Sequence, residues 1–216
     1  MQHPVYTIGH STHSSSFFRN LLLLHSVTAV CDVRSRPYSR TNPQFNRETL
    51  RSELKKEGVA YVFLGSELGA RPSDSGCYED GRAKYRLIGA TDAFKRGIER
   101  VIEGSKTHAV ALMCAEKDPL QCHRTILVGQ ALYEAGMPVR HILPDGSVEM
   151  HEAACERLIV NLKMSDVDIF RTKAEILADA LRSQAELIEF REASAGEFSS
   201  ADPNYRRTLQ RNRIHR

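Results

Sequence analysis

The sequence predicts an α/β domain: a three-layer, Rossmann-like sandwich with a mainly parallel central sheet of about five strands and a helical extension at its C-terminus. Two observations predict it. Short apolar, β-branched runs recur along the chain, as in strands buried on both faces. Amphipathic stretches of helical period separate them, and the repeated order strand, helix, strand is that of a parallel sheet.

The first run, Val5 to Ile8, ends in Gly9-His10-Ser11. Ser15 to about His25 follows as a helix carrying Phe17, Phe18, Leu21, Leu22 and Leu24. The second run, Val27 to Cys31, ends in Asp32-Val-Arg-Ser-Arg-Pro37, and Asn46 stands as N-cap to a helix from Arg47 to Glu57. The third, Val59 to Leu64, ends in Gly65-Ser-Glu-Leu-Gly-Ala-Arg71. Gly65 to Gly89 then reads as a long polar loop, a lid over the strand ends. Ala93 to Glu103 reads as a helix between Thr91 or Asp92 and Gly104. The fourth run, Ala109 to Met113, leads into Cys114. Asp118 is a good N-cap and Pro119 suits a first helical position, so one helix is expected from Pro119 to about Ala135. The fifth run is Val139 to Leu143. His151 to Lys163 and Thr172 to about Ala193 read as helices. The expected division is an α/β domain over 1–150 and a helical extension over 151–216.

The formal net charge of +3 is local in origin. Pro203 to Arg216 holds five arginines and no acid, and the rest of the chain has 25 basic against 27 acidic residues. An arginine-rich tail suits nucleic acid or acidic protein, or is simply solvated. Five cysteines without framework spacing suggest a reducing cytoplasm. No apolar run reaches the roughly 18 residues of a membrane span.

Ligands of open parallel sheets bind beyond the carboxyl ends of the strands. Polar clusters mark those ends here: His10 and Ser11; Asp32, Arg34 and Arg36; Glu67 and Arg71; Cys114, Glu116, His123 and Arg124. His10, Asp32, Glu116 and His123 are the candidate acid/base groups. Ser11, Arg34, Arg36, Glu67, Arg71, Cys114 and Arg124 are the candidate ligand-binding groups, because guanidinium forks suit phosphate. The N-terminus of the Pro119 helix would add anion-binding N–H groups. Asp32 and Arg34 alternate along a strand, so an internal ion pair is the plain alternative. Cys114 and Cys122 read as structural sulfur, nucleophile or metal ligand. Cys-x7-Cys-His is not a recognised zinc spacing, so no cofactor is expected, with zinc or another divalent metal as the lesser reading. There is no Walker loop and no dinucleotide-binding glycine pattern.

Ile8-Gly-His-Ser11, Asp32-Val-Arg-Ser35 with Arg36-Pro37, Gly65-Ser-Glu-Leu-Gly69, and Cys114-Ala-Glu-Lys-Asp-Pro with Cys122-His-Arg124 resemble the DUF488 family over about Val5 to Ile159. The resemblance implies a prokaryotic α/β domain and a shared site, but no substrate. The expected function is hydrolysis or group transfer on a nucleotide or nucleic-acid component. The alternatives are a non-catalytic nucleic-acid accessory protein and a metal- or thiol-based redox protein. The expected partner is a small phosphorylated ligand or nucleic acid, with a homo-oligomer left open and no membrane.

Overall fold

The computed structural model describes residues 3–165 and 169–192. The expected arginine-rich tail lies outside them. In chain order the elements are β1 (Val5–Gly9), α1 (Ser15–Leu24), β2 (Ala29–Asp32), α2 (Arg47–Lys56), β3 (Ala60–Phe63), α3 (Gly65–Leu68), β4 (Tyr78–Glu79), β5 (Arg82–Ala83), α4 (Tyr85–Ala90), α5 (Asp92–Gly104), β6 (Val110–Cys114), α6 (Gln130–Glu134), β7 (Val139–Ile142), β8 (Val148–Met150), α7 (His151–Asn161) and α8 (Lys173–Ile188). The main sheet has six strands in the order β3-β2-β6-β1-β7-β8. The first five are parallel and β8 is antiparallel to β7.

Alternation along the strands divides the core into two layers. In β6, Ala111 and Met113 face one side with Phe18, Leu22, Leu50 and Leu54 from α1 and α2. Val110, Leu112 and Cys114 face the other with Phe94, Val101, Leu127, Leu132, Leu158 and Ala180. This is the three-layer sandwich that the apolar runs imply. Ser14 caps α1 through Phe17 N, Thr91 caps α5 through Phe94 N, and Thr172 with Glu175 closes a capping box on α8.

Four details depart from the sequence-based expectation. The sheet has a sixth strand, β8, reached by a turn through Gly146 at φ 86°. It is three residues long with the pattern exposed, half-buried, exposed, too short and too polar to read as a strand. Residues 65–89 are not an irregular loop. They hold α3, a 3-10 turn at Ser75–Cys77, the β4–β5 hairpin and α4, and Ala83 N donates to Phe190 O beyond α8. The expected helix from Pro119 is broken. Pro119–Gln121 is a 3-10 turn, Cys122 is extended at φ −143° and ψ 140°, and a π-helix over Arg124–Gly129 leads into α6. Asp118 caps this turn through Leu120 N and pairs with Arg157 of α7. A three-residue turn supplies no helix N-terminus for an anion. Finally, α8 stops at Ile188, short of the expected end.

The chain leaves β1 toward β2 and β3, returns to the sheet centre as β6, and goes out the other way to β7. The strand order thus reverses between β6 and β1, and a crevice opens beyond their carboxyl ends.

Candidate functional site at the strand ends

A cavity of about 610 Å³ occupies that crevice. Of the residues singled out in the sequence, His10, Arg34, Arg36, Arg71, Cys114, Glu116 and His123 line it. Ser11, Asp32, Glu67 and Arg124 do not. Tyr38, Tyr85, Cys122, Ile188 and Phe190 complete its walls.

On the β2 side the polar groups are closed on one another. Arg34 Nε donates to Asp32 Oδ1 (2.9 Å) and Nη2 to Asp32 Oδ2 (2.6 Å). Tyr61 Oη also donates to Asp32 Oδ2 (2.7 Å), and Arg34 Nη2 reaches Phe45 O (2.8 Å). Asp32 is fully buried behind its arginine. Burial alone would lower the Arg34 pKa, but the hydrogen bonds and charge of Asp32 outweigh it and raise it. Arg34 Nη1 lies 3.1 Å from His10 Nε2. Arginine can only donate, so His10 Nε2 accepts, and Nδ1–H donates to Ser11 O (2.8 Å). The ring stacks on Phe45. Burial, set against the Ser11 bond, and the Arg34 charge bring the His10 pKa down to about 4, so the imidazole is neutral with both nitrogens engaged.

Three of the expected ligand-binding groups serve the backbone or another helix. Arg124 is fully buried and donates to Glu116 O (2.8 Å) and Lys117 O (3.3 Å), clamping the loop after β6. Gly9 lets that loop approach β1, because a Cβ there would stand 1.9 Å from Glu116 O. Glu67 pairs with Arg100 of α5, away from the cavity. Ser11, at φ 46°, joins the loop through its backbone N–H to Ala115 O (2.9 Å).

On the β6 side lies the sulfur cluster. Cys114 ends the strand, and the extended Cys122 turns its sulfur back toward it. His123 Nδ1 is 3.7 Å from Cys114 Sγ and 3.8 Å from Cys122 Sγ. His123 Nε2 is 3.0 Å from Val33 O. Arg124 N–H donates to Cys122 Sγ (3.4 Å), and Cys122 Sγ donates to Glu116 Oε2 (2.9 Å). The Cys122 pKa falls well below that of an ordinary thiol. Burial opposes this, but the Cys114 hydrogen bond, Arg124 and His123 outweigh it. Cys114 goes up, through its bond to Cys122 and then burial. Glu116 also goes up, from burial and from the Cys122 sulfur. His123 rises because Cys122 outweighs burial. Cys122 is therefore the more acidic of the two thiols. All five cysteines are buried and free.

At the mouth stand Arg36 and Arg71, both exposed. Neither forms an ion pair among the described residues. Arg71 lies over the Phe190 ring at 4.2 Å, and both arginines also border an adjoining cavity of about 640 Å³. Sequence reasoning missed Tyr85, Ile188 and Phe190. Tertiary contacts bring them here: Glu189 binds Tyr85 N and Lys84 Nζ, and Gln184 Nε2 donates to Leu120 O.

The family model described as Domain of unknown function DUF488 matches residues 14–131. The chain belongs to this family. The matched span of the DUF488 chain runs from the start of α1 to the first residues of α6 and includes the whole sulfur cluster. Comparison with curated proteins and with solved structures finds no match. Among the described residues, no helix is long and apolar enough to cross a membrane.

Proposed function

We propose that this DUF488 chain is an enzyme that binds a small phosphorylated ligand, a nucleotide or nucleic-acid component, in the strand-end cavity and carries out hydrolysis or group transfer on it. The observation that carries the reading is the pairing of two exposed arginines at the mouth, without ion-pair partners among the described residues, with a thiol, imidazole and carboxylate cluster on the floor. Arg36 and Arg71 would take the anion, since guanidinium groups bind phosphate with charge-assisted hydrogen bonds. Tyr38, 60% exposed at the rim, offers an aromatic face to a base. The cavity is within the usual range for small-molecule sites. Chemistry would fall to Cys122, His123 and Glu116. His10 and Arg34 form the fixed wall, because their polar atoms are already engaged.

Calorimetric titration with inorganic phosphate and with nucleoside monophosphates tests this, followed by turnover assays on the ligands that bind. Arg36→Ala with Arg71→Ala is expected to weaken binding at least about tenfold, the loss of one charged hydrogen bond. Cys122→Ser or Glu116→Gln is expected to keep affinity within about tenfold and to remove turnover. Equal affinity in the arginine double variant defeats the anion reading. Tight binding with no turnover of any bound ester defeats the enzyme reading and favours an accessory binding protein.

A further inference from the structure

We propose that Cys114 Sγ, Cys122 Sγ and His123 Nδ1 form a zinc site whose fourth position opens into the strand-end cavity. Such an ion would give the anion cavity an electrophilic floor. That consequence rests on the anion-binding reading, whereas the ion's own binding does not.

The backbone comes first. In an unbroken helix from Pro119, Cys122 and His123 would point about 100° apart and could not converge on one strand end. The single extended residue at Cys122 removes that divergence and turns its sulfur toward Cys114. Unlike a zinc ribbon, the site is built from one strand terminus and one helix interruption, so the spacing in sequence carries no zinc signature.

The two sulfur–nitrogen separations have the size of zinc-tetrahedron edges. All three donor atoms lie within 4.8 Å of one another. Zinc–sulfur and zinc–nitrogen bonds of ordinary length set tetrahedral edges of about 3.6 Å between S and N and about 3.8 Å between two sulfurs. The two S···N separations are 3.7 and 3.8 Å. One S–H···N hydrogen bond would draw a single sulfur closer. Near-equal distances suit a shared centre.

The imidazole is oriented for the task. Val33 O can only accept, so His123 Nε2 carries the proton and the Nδ1 lone pair of the neutral ring faces the two sulfurs. A backbone carbonyl holding the distal N–H of a ligating histidine is a common outer support of metal sites. The Arg124 N–H to Cys122 Sγ supports a thiolate in the same way. Two thiolates would balance the charge of a divalent ion. Two sulfurs and an imidazole favour zinc over magnesium or calcium, which take oxygen.

The site is open on one side. Cys114, Cys122 and His123 all line the cavity. Two cysteines, one histidine and a position left to water or substrate is an arrangement of catalytic zinc, whereas structural zinc has four protein ligands. Glu116 is outside the three-donor set. Its Oε2 lies beside Cys122 at 2.9 Å, where it could take a proton from a group at the fourth position.

The test uses the full chain, reduced and stripped of metal, titrated with zinc against a chromophoric chelator and separately with cobalt(II). The expected result is one equivalent bound, with thiolate-to-cobalt charge-transfer absorption and tetrahedral d–d bands. Cys114→Ser and Cys122→Ser should each weaken zinc by at least about 100-fold, the upper range for loss of a mere supporting contact. Arg36→Ala with Arg71→Ala should leave zinc affinity unchanged while it weakens phosphate, which separates failure of the metal from failure of the anion reading. Absence of thiolate charge transfer in the wild-type chain overturns the site. So does an equivalent of zinc that survives both cysteine substitutions. The wild-type cobalt spectrum decides the matter even if the substituted chains do not fold.

Discussion

At the end of β2, Asp32, Arg34 and His10 close on one another, on Tyr61 and on the carbonyls of Phe45 and Ser11. At the end of β6, Cys114, Cys122 and His123 cluster beside the cavity, with Glu116 against Cys122. The two groups are neighbours across one sheet edge and equally conspicuous in the sequence. They differ in what is left to bind a ligand. A buried carboxylate and guanidinium that satisfy each other hold the backbone of the crevice in place. Soft donors aimed at one another keep a capacity for a metal, a proton or a substrate. Position at a strand end marks a polar residue as a candidate, and its remaining hydrogen-bonding capacity separates framework from site.

The largest expected effect tests the closed group. Asp32→Ala leaves a buried guanidinium unpaired and should cost about 3–5 kcal/mol in denaturant unfolding. Cys122→Ala in the metal-free chain removes one heavy atom and should cost only about 1 kcal/mol. Similar losses for the two would break the distinction between framework and site.

Gly9→Ala comes next, because it acts at the boundary. The new Cβ would meet Glu116 O at 1.9 Å, a backbone atom that must move. Overpacking of this kind costs about 1–3 kcal/mol. Thermal unfolding measures the loss, and backbone chemical shifts should change from Glu116 to Arg124 more than around Asp32. Changes centred on Asp32 instead would show that the two groups are mechanically one.

The pH dependence sharpens the contrast further. Burial holds His10 at about 4 in the folded chain, below its unfolded value of about 6.5. The native state then binds fewer protons than the unfolded state between those values. Its stability is complete above about pH 6.5 and falls as the pH drops, by about 1.4 kcal/mol per pH unit for one fully titrating group. His141 and His151, joined in a buried chain from Thr7 to Gln130, shift in the same direction. His10→Gln should therefore make the acid limb of a stability-versus-pH curve shallower by about one proton without removing it. His123 is shifted the other way by Cys122, so in the metal-free chain its contribution is present below about pH 6.5 and is lost as the pH rises through its folded pKa. Ring-nitrogen shifts across the titration distinguish the two histidines, and parallel titration of both would contradict the assignment.

Much of the frame was legible in the sequence. β1, β2, β6 and β7 are buried on both faces, so their apolar runs stand out, and burial on both faces is what a parallel sheet requires. Val-Glu-Met in β8 is a half-exposed edge and gives no such signal. The i, i+2 spacing of Asp32 and Arg34 put both on one face, but spacing could not say whether they faced each other or a ligand. The break at Cys122 was hidden, because Asp118, Pro119 and the following apolar residues satisfy the local rules for a helix. Tertiary contacts decide otherwise: Arg157 takes the Asp118 carboxylate, and Gln184 takes the Leu120 carbonyl. The aromatic wall from Tyr85 and Phe190 was out of reach for the same reason, since α8 carries Phe190 back to the sheet only through contacts distant in sequence.

The most direct test of the proposed zinc site in this DUF488 chain is zinc K-edge X-ray absorption on the zinc-loaded chain. The account predicts a first shell with two sulfurs at about 2.3 Å and one imidazole nitrogen at about 2.0–2.1 Å, completed by one light atom. A shell of nitrogen and oxygen alone would contradict it and place any bound metal away from Cys114 and Cys122.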